Sequence, residues 1–511
     1  MTSPDRVAIW EALDELSRRH RAFGDAFWAL PQDELDRIDQ VGAKFRPNDE
    51  VETARFLFDE DSPDIGQRHP GDFAEYEAAL RQARTTAVEA ILAAHELEGI
   101  YRLVGSAKEA FLIGLALGDS AAQFDERRVL ADLDNDEHSR ATFARGLVQA
   151  RANAGDEKWL KEAVDQRDGH PLSQARVLLA SQDLAEAWDQ AKKLGPTVDG
   201  AYWKEFRHFG RGHDFALVAE TAERLLAHSR PAAAVDLLAL YVDRVEPTLP
   251  AELVAEALGQ LVKAKPEDSG GLSSYELDKL LQFLRGSDLH EDEIAILEWQ
   301  LLPALGYGAS SPILERRLAK DPAFFVEVLS MCFKRKDGTN ERDPSPEMAS
   351  NAYSLLDEWR VVPGSDGPGA EVEGGRLGEW LEEARRLLSE VDRAEIGDLY
   401  IGHILAHSNE DPDGTWPTLP VRDAIQRLGV DEIDRGVRTE KYNMRGVTSR
   451  RLTDGGKQEF ELADQFDHQA SLVADKWPRS AAILRSLADA YRAEGRGQDE
   501  EAKRHREGLS R

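Results

Sequence analysis

DFALVAETAERLL, residues 214–226, followed by RPAAAVDLLALYVDRV, residues 230–245, is the stretch that decides the fold. In the first segment Phe215, Val218, Ala219, Ala222, Leu225 and Leu226 recur at three- and four-residue steps. A helical period gathers them onto one stripe, which must be buried against another element. The second segment opens with Pro231 at the first helical position and is apolar around most of its circumference, as a helix covered on two sides must be. The pair is therefore expected to form an antiparallel helical hairpin.

The same pattern continues downstream, with helix starts expected near Pro250, Ser273, His290 and Asp321. Starts about twenty residues apart give a two-helix unit of about 35 to 45 residues, the range of helical repeats. Ser273 with Glu276 forms a capping box, in which hydroxyl and carboxylate satisfy orphan amides at the helix entry. No strict motif recurs, so the expected fold is all-α, an irregular α-solenoid of stacked antiparallel helix pairs of HEAT-like or tetratricopeptide-like kind. The strand candidates ARFLF (54–58) and RVVPG (360–364) are too few to build a sheet.

Three blocks are expected: an N-terminal helical block over 1–210 with a long loop at 45–72, central helical repeats over 211–335, and a C-terminal helical block over 346–511. Gly, Pro, Asp and Asn crowd 336–346 and 363–375, which read as exposed joints. The segment 477–508 reads as helix, turn and helix. Ala482, Leu484, Leu487, Ala488 and Tyr491 share one face, Gly495 and Gly497 break the chain, and a polar last helix caps the stack.

The formal charge is −32, from 96 acids against 64 bases. Such a surface repels a phosphate backbone unless positive charge is gathered locally. Cys332 is the single cysteine, so neither an internal disulfide nor a cysteine-based zinc site is available within the chain. A reducing cytosol is the expected compartment, and the acid-bearing N-terminus argues against a signal peptide. The longest clean apolar run, AFLIGLALG at 110–118, is about half of the ~20 residues a membrane-spanning helix needs, so no membrane partner is expected.

Catalytic motifs are sparse. DGGKQ at 454–458 lacks the first Gly and the Ser or Thr of a phosphate-binding loop, and no G-x-S-x-G or H-E-x-x-H occurs. His403 and His407, four apart and followed by Glu410, Asp411 and Asp413, offer the donors of a zinc or iron site. The same residues also read as packed histidines beside an Asp-Pro-Asp-Gly turn, and that structural reading is preferred. HEDE at 290–293 reads as an acidic first turn complementing the helix dipole. Trp188, Tyr202, Trp203, Phe206 and Phe209 resemble a recognition cage but are expected to be helix packing.

The acidic balance reverses in one place. From Arg435 to Lys457 seven Lys or Arg stand against two acids. Arg445, Arg450, Arg451 and Lys457, with Tyr442 and Asn443 beside them, are the candidate partner-binding residues, and Gly446, Gly455 and Gly456 permit close backbone approach. The competing reading is local pairing with neighbouring acidic helices, worth about 0–1 kcal/mol per exposed pair. Nucleic acid at this segment is the weaker alternative, because a single tyrosine makes a poor stacking platform.

The strings DPDGTWPTLPVRDAIQRL, RGVRTEKYNMRGVTSRRLTDGGKQEFELADQF and WPRSAAILRSLADAYRAEGRGQDEEA resemble the closing segment of large, poorly characterised bacterial multidomain proteins. In those an upstream nucleotide-binding or effector region precedes a long helical array. RHRAFGDAFWALP, LFDEDSPD, GAYWKEF, LSSYELDKLL, DPAFFVEVLS and NAYSLLDEWRVVPG extend the likeness over most of the chain. It implies a recognition or scaffold array in bacterial defence or signalling, and it carries over no catalytic residue. The chain starts at Met1 without the upstream region, which reads as a stand-alone protein or as a split or truncated relative.

The expectation is thus a cytoplasmic, non-enzymatic scaffold or sensor without a cofactor, which binds a protein partner at the basic turn. A metal-dependent hydrolase using His403, His407 and Asp411 is the rival, and a nucleic-acid adaptor the third reading.

Overall fold

Pro231, Pro312, Pro322 and Pro478 each occupy the first position of a helix, where the missing N–H costs nothing and the fixed φ is already helical. The computed structural model describes residues 3–66, 73–207, 215–244, 248–264, 273–305, 311–339, 343–446, 449–451 and 454–506. Among them are 25 α-helices, three short 3₁₀ helices and no strand, so the chain is all-α. No helix among the described residues is long and apolar enough to cross a membrane.

The deciding segment folds as expected. A 3₁₀ turn, Phe215–Leu217, leads into the helix Val218–Ala227, which packs on the helix Pro231–Tyr241. Val218, Ala222, Leu225 and Leu226 are buried, and the second helix is covered on both sides apart from Leu240. Each buried Val or Leu contributes about 1.5–3 kcal/mol. Ser229 closes the first helix at φ 57°, with Arg230 N donating to Leu225 O and Ser229 N to Leu226 O. The same paired closure recurs at Gly155 and at Asp392, so one turn design with a left-handed residue serves three helix ends.

Backbone contacts divide the chain into two compact units, Met1–Arg211 and Gly212–Arg511. In the second unit the helices Ala251–Lys263, Ser274–Arg285 and Glu291–Leu305 follow from the expected starts, and the Ser273–Glu276 capping box is formed. Asp321 accepts from Ala323 N and Phe324 N at the entry of Pro322–Cys332. The twenty-residue spacing misses one helix, Pro312–Lys320, which fits between two expected starts. From Val218–Ala227 to Pro346–Asp357 each helix packs on its chain neighbour, including the two on either side of 336–346, whereas Ala394–Leu405 packs on Asp431–Asn443, which in turn packs on Pro478–Arg506.

Three local expectations are corrected. ARFLF forms the 3₁₀ helix Arg55–Phe58 behind the short helix Glu50–Ala54, so 45–66 is no open loop; Phe58 is fully buried, and 67–72 lie outside the described residues. RVVPG pairs with no strand, in keeping with the expectation that the strand candidates build no sheet. The segment 363–375 is no exposed joint at its start, because Val361, Val362 and Ser365 are buried and Gly364 lies so close to Glu373 and Leu377 that a side chain has no room.

The C-terminal correction is the largest. Pro478–Arg506 is one unbroken helix through Gly495 and Gly497. Ala481, Ile483, Leu484, Leu487, Ala488 and Tyr491 form its buried face, while Ala482 is exposed. Gly495 does not turn the chain. A Cβ on Gly456 would overlap the Gly495 carbonyl, so the glycine pair lets two backbones touch.

Candidate functional site

The helix Asp431–Asn443 ends in the basic turn, and the helix Lys457–Val473 leaves it to pack along Pro478–Arg506. This packing folds the cations back onto acids of the same unit. Glu459, in the first turn of its helix and fully buried, accepts from Arg445 Nη2, from Arg450 Nη2 at 2.8 Å and from Arg450 Nη1 at 3.0 Å. Arg445 Nη1 also donates to Glu494 Oε2 at 3.2 Å, and the Tyr442 hydroxyl donates to the same oxygen at 2.9 Å. Burial alone pushes the Glu459 carboxyl up, but the two guanidiniums more than offset this and hold it below the ordinary carboxylate range.

Aromatic packing extends the clamp. Tyr442 stacks on Tyr491 with centroids 5.0 Å apart, Phe466 also stacks on Tyr491 at 5.7 Å, and the Arg445 guanidinium lies 5.3 Å from the Tyr491 centroid. Of the sequence-derived residues, Tyr442, Arg445 and Arg450 are thus brought together, but by an internal carboxylate pair. Asn443, Arg451 and Lys457 are exposed. The Arg451 amide donates to Asp454 at 2.9 Å, and Lys457 sits 3.8 Å from Glu461. Gly446 and Gly455 adopt positive φ of 67° each, and Gly456 N donates to Asp499 at 2.9 Å. Arg438 reaches Ser486 Oγ at 3.2 Å, and Lys441 lies 4.3 Å from the Trp416 centroid, where burial lowers its ammonium pKa.

The histidine pair does not converge on Asp411. His407 Nε2 is 3.0 Å from Glu440 Oε1, and this hydrogen bond holds the Glu440 carboxyl below its usual range. His403 packs on Tyr400 at 5.1 Å, and burial pushes its imidazole below the ordinary value. Asp411 instead accepts from Arg422 Nη2 at 2.6 Å and Leu419 N at 3.2 Å, and Asp413 accepts from Thr415 N at 3.0 Å in the turn. Burial raises the Cys332 thiol to about 12, which leaves it protonated.

Trp188, Tyr202, Trp203 and Phe206 are fully buried and mutually packed, with Trp188 and Trp203 centroids 5.7 Å apart; they are core rather than a cage, and Phe209 lies outside the described residues. His290 to Glu293 open the helix Glu291–Leu305, and Glu291 pairs with Arg316 at 2.6 Å.

Two features escaped the sequence reading. Asp49, Glu50 and His95 bring three ligand-type atoms within 4.8 Å of one another, but Asp49 caps the helix Glu50–Ala54 and pairs with Arg102, while His95 bonds Glu50 at 2.9 Å. A guanidinium already supplies the positive charge there.

The second feature is apolar. Ile9, Leu16 and Phe23 are exposed at 38%, 38% and 42%, seven residues apart along the first helix and its end. In the turn that follows, Phe27 is fully exposed, and Trp28 and Leu30 are partly so. Phe23 and His20 pack on Trp28 at 5.7 and 5.1 Å. The sequence signal was present in AFGDAFWALP: large apolar residues outside any helical period, between two polar helices. Comparison with known proteins gives no match: no family model, no curated relative and no solved structure is similar to this chain.

Proposed function

We propose that this protein is a non-enzymatic helical scaffold or sensor of α-solenoid type, which binds a protein partner through the apolar face of its N-terminal helix and the aromatic turn after it. The observation that carries the reading is the concentration of Ile9, Leu16, Phe23, Phe27, Trp28 and Leu30 at the surface of a strongly acidic chain. Contiguous exposed apolar surface marks interaction sites, and Trp and Phe are prominent among residues that dominate binding energy. Exposed Asp33 and Glu34 on the adjoining helix favour a partner whose own apolar surface is rimmed with basic residues. The resemblance of the C-terminal sequence supports a setting in bacterial defence or signalling, inside the cytoplasm.

The basic turn is the second contact reading, and exposed Arg451 and Lys457 carry it. Two double variants separate the readings without touching a buried residue: Phe27→Asp with Trp28→Ser, and Arg451→Glu with Lys457→Glu. Affinity capture from the native cells followed by mass spectrometry is expected to lose a stoichiometric partner with the first variant and retain it with the second, helicity being unchanged in both. Loss only with the second moves the contact to the basic turn. Capture unchanged in both overturns the proposal.

A further inference from the structure

The helix Ala110–Asp119 carries the run AFLIGLALG, apolar throughout. Such a helix calls for cover on every side. Gly114 meets the helix His138–Asn153 by close backbone contact. On another side Leu112, Leu115 and Ala116, with Leu80 from the helix Phe73–Ser106, floor a cleft of about 280 Å³. Leu112 and Leu115 are left only half-buried.

The rim of the cleft is charged. Arg81 forks onto Asp119, Nε to Oδ2 and Nη2 to Oδ1 at 2.6 Å each, so these two charges neutralise each other. Arg84, also lining the cleft and half-buried, is held differently. Its Nε donates to Leu57 O at 2.8 Å, and its Nη2 donates to Glu60 O and Asp61 O at 2.9 and 3.0 Å. These acceptors are main-chain carbonyls. Among the described residues no carboxylate forms an ion pair with Arg84, and its Nη1 has no hydrogen-bond partner. The Nη2 bond fixes Asp61 beside it, and the Asp61 carboxylate, exposed at the same cleft, likewise has no partner among the described residues.

A cation and an anion thus stand side by side above an apolar floor without pairing. A plain anion at this place would meet Asp61 and the further rim acid Glu77, and a plain cation would meet Arg84. A zwitterion with an apolar tail answers both charges. The cleft is slightly smaller than the roughly 300–1,000 Å³ of sites for drug-sized ligands, which suits a small metabolite. We propose that it binds a free apolar α-amino acid, with the carboxylate on Arg84 Nη1, the ammonium on Asp61 and the side chain on Leu80, Leu112 and Leu115. Guanidinium and carboxylate bonds to the charged ends are charge-assisted and supply the orientation. This site shares no residue with the proposed docking face of the first helix, and it stands or falls independently of that reading.

Isothermal titration of the full chain tests it with L-leucine and L-phenylalanine. Each is run beside its analogue without the ammonium, 4-methylpentanoate or 3-phenylpropanoate, and its analogue without the carboxylate, 3-methylbutylamine or 2-phenylethylamine. Saturable binding of at least one amino acid is expected, with both of its analogues weaker by about tenfold or more. Asp61→Asn is expected to weaken the amino acid by a similar factor without weakening the analogue that lacks the ammonium. Leu115→Trp fills the cleft and is expected to abolish binding at unchanged helicity. Absence of saturable binding of both amino acids overturns the proposal, as does an analogue that binds as tightly as its parent. Unchanged affinity in Asp61→Asn also overturns it. Asp61 is exposed and its carboxylate holds no other residue, so that variant keeps the test sound if Leu115→Trp fails to fold.

Discussion

Glu459→Ala is expected to destabilise the second unit by about 3–5 kcal/mol, the cost of leaving buried cations without their carboxylate. Arg445 and Arg450 are only 13% and 19% exposed at their side chains, and Glu459 is their shared acceptor. Arg445 keeps Glu494 as a second acceptor, 3.2 Å from its Nη1. Urea unfolding followed by circular dichroism is the measurement, with Glu461→Ala as the control. Glu461 is exposed and 3.8 Å from Lys457, so its removal costs about 0–0.5 kcal/mol. Equal stability of the two variants would sink the clamp as a stabilising element.

The pH dependence has a definite sign. The folded carboxyl of Glu459 lies below its ordinary value of 4.5, so its contribution is fully present above that value. It is lost as pH falls below 4.5 through the depressed folded value. Wild type should therefore approach Glu459→Ala in stability under acid conditions. A gap that stays constant from neutral pH into strong acid would show that the carboxylate charge is not the source. Charge reversal at Arg445 or Arg450 sets a carboxylate against Glu459 and is expected to unfold this region, so the exposed pair Arg451 and Lys457 is the sound place to probe binding.

Gly402→Ala is expected to cost about 3 kcal/mol or more, near or beyond the upper end of overpacking penalties, because the clash is with backbone that no rotamer can relieve. Gly402 on the helix Ala394–Leu405 faces Gly436 on Asp431–Asn443, and a Cβ there would overlap the Ile433 carbonyl and lie 2.8 Å from Gly436 Cα. The arrangement is reciprocal, since a Cβ on Gly436 would overlap the Leu399 carbonyl. The control is the same substitution at Gly259, inside Ala251–Lys263 of the same unit, where nothing lies within 4 Å. Gly259→Ala should stabilise by about 0.5–1 kcal/mol, because helix propensity alone acts. Thermal unfolding of both variants checks the opposite signs; a shift in the same direction would contradict the packing argument.

The crossing at Gly402 and Gly436 has a twin in the first unit. Gly114 and Gly146 touch in the same reciprocal way, each beside the carbonyl three residues before its partner, Phe143 and Phe111. AFLIGLALG, read in sequence as an apolar run too short to span a membrane, is half of that crossing. Gly118 continues it against Ala150. Small residues at these points let helices approach closely enough for main-chain contact.

The sequence reading succeeded wherever the cause of structure is local. The stripe from Val218 to Leu226, Pro231 at its helix entry, the Ser273–Glu276 box and the Asp321 cap all depend on residues within one or two turns. It failed at Gly495, where glycine was read as a break and instead serves a neighbour 39 positions earlier, as 495 − 456 shows. It also failed at the start of 363–375, where Pro363, Gly364 and Ser365 form a packed turn rather than a loose joint. Composition reports that a residue tolerates unusual backbone; whether it turns the chain or admits another helix depends on what packs there.

The charges divide in the same way. By itself the sequence determined that this chain is all-α, where the central helices from Pro231 to Pro322 begin apart from Pro312–Lys320, and that positive charge collects between Arg435 and Lys457, because helical period, capping and composition are properties of neighbouring residues. Only the tertiary structure decided that Arg445 and Arg450 belong to Glu459, that Asp411 belongs to Arg422 rather than to a metal with His403 and His407, and that Arg145 and Arg176 share Glu205. The physical reason is reach: a hydrogen bond is decided within about 3 Å, and which acid stands that close to which cation is set by helix packing, not by distance along the chain.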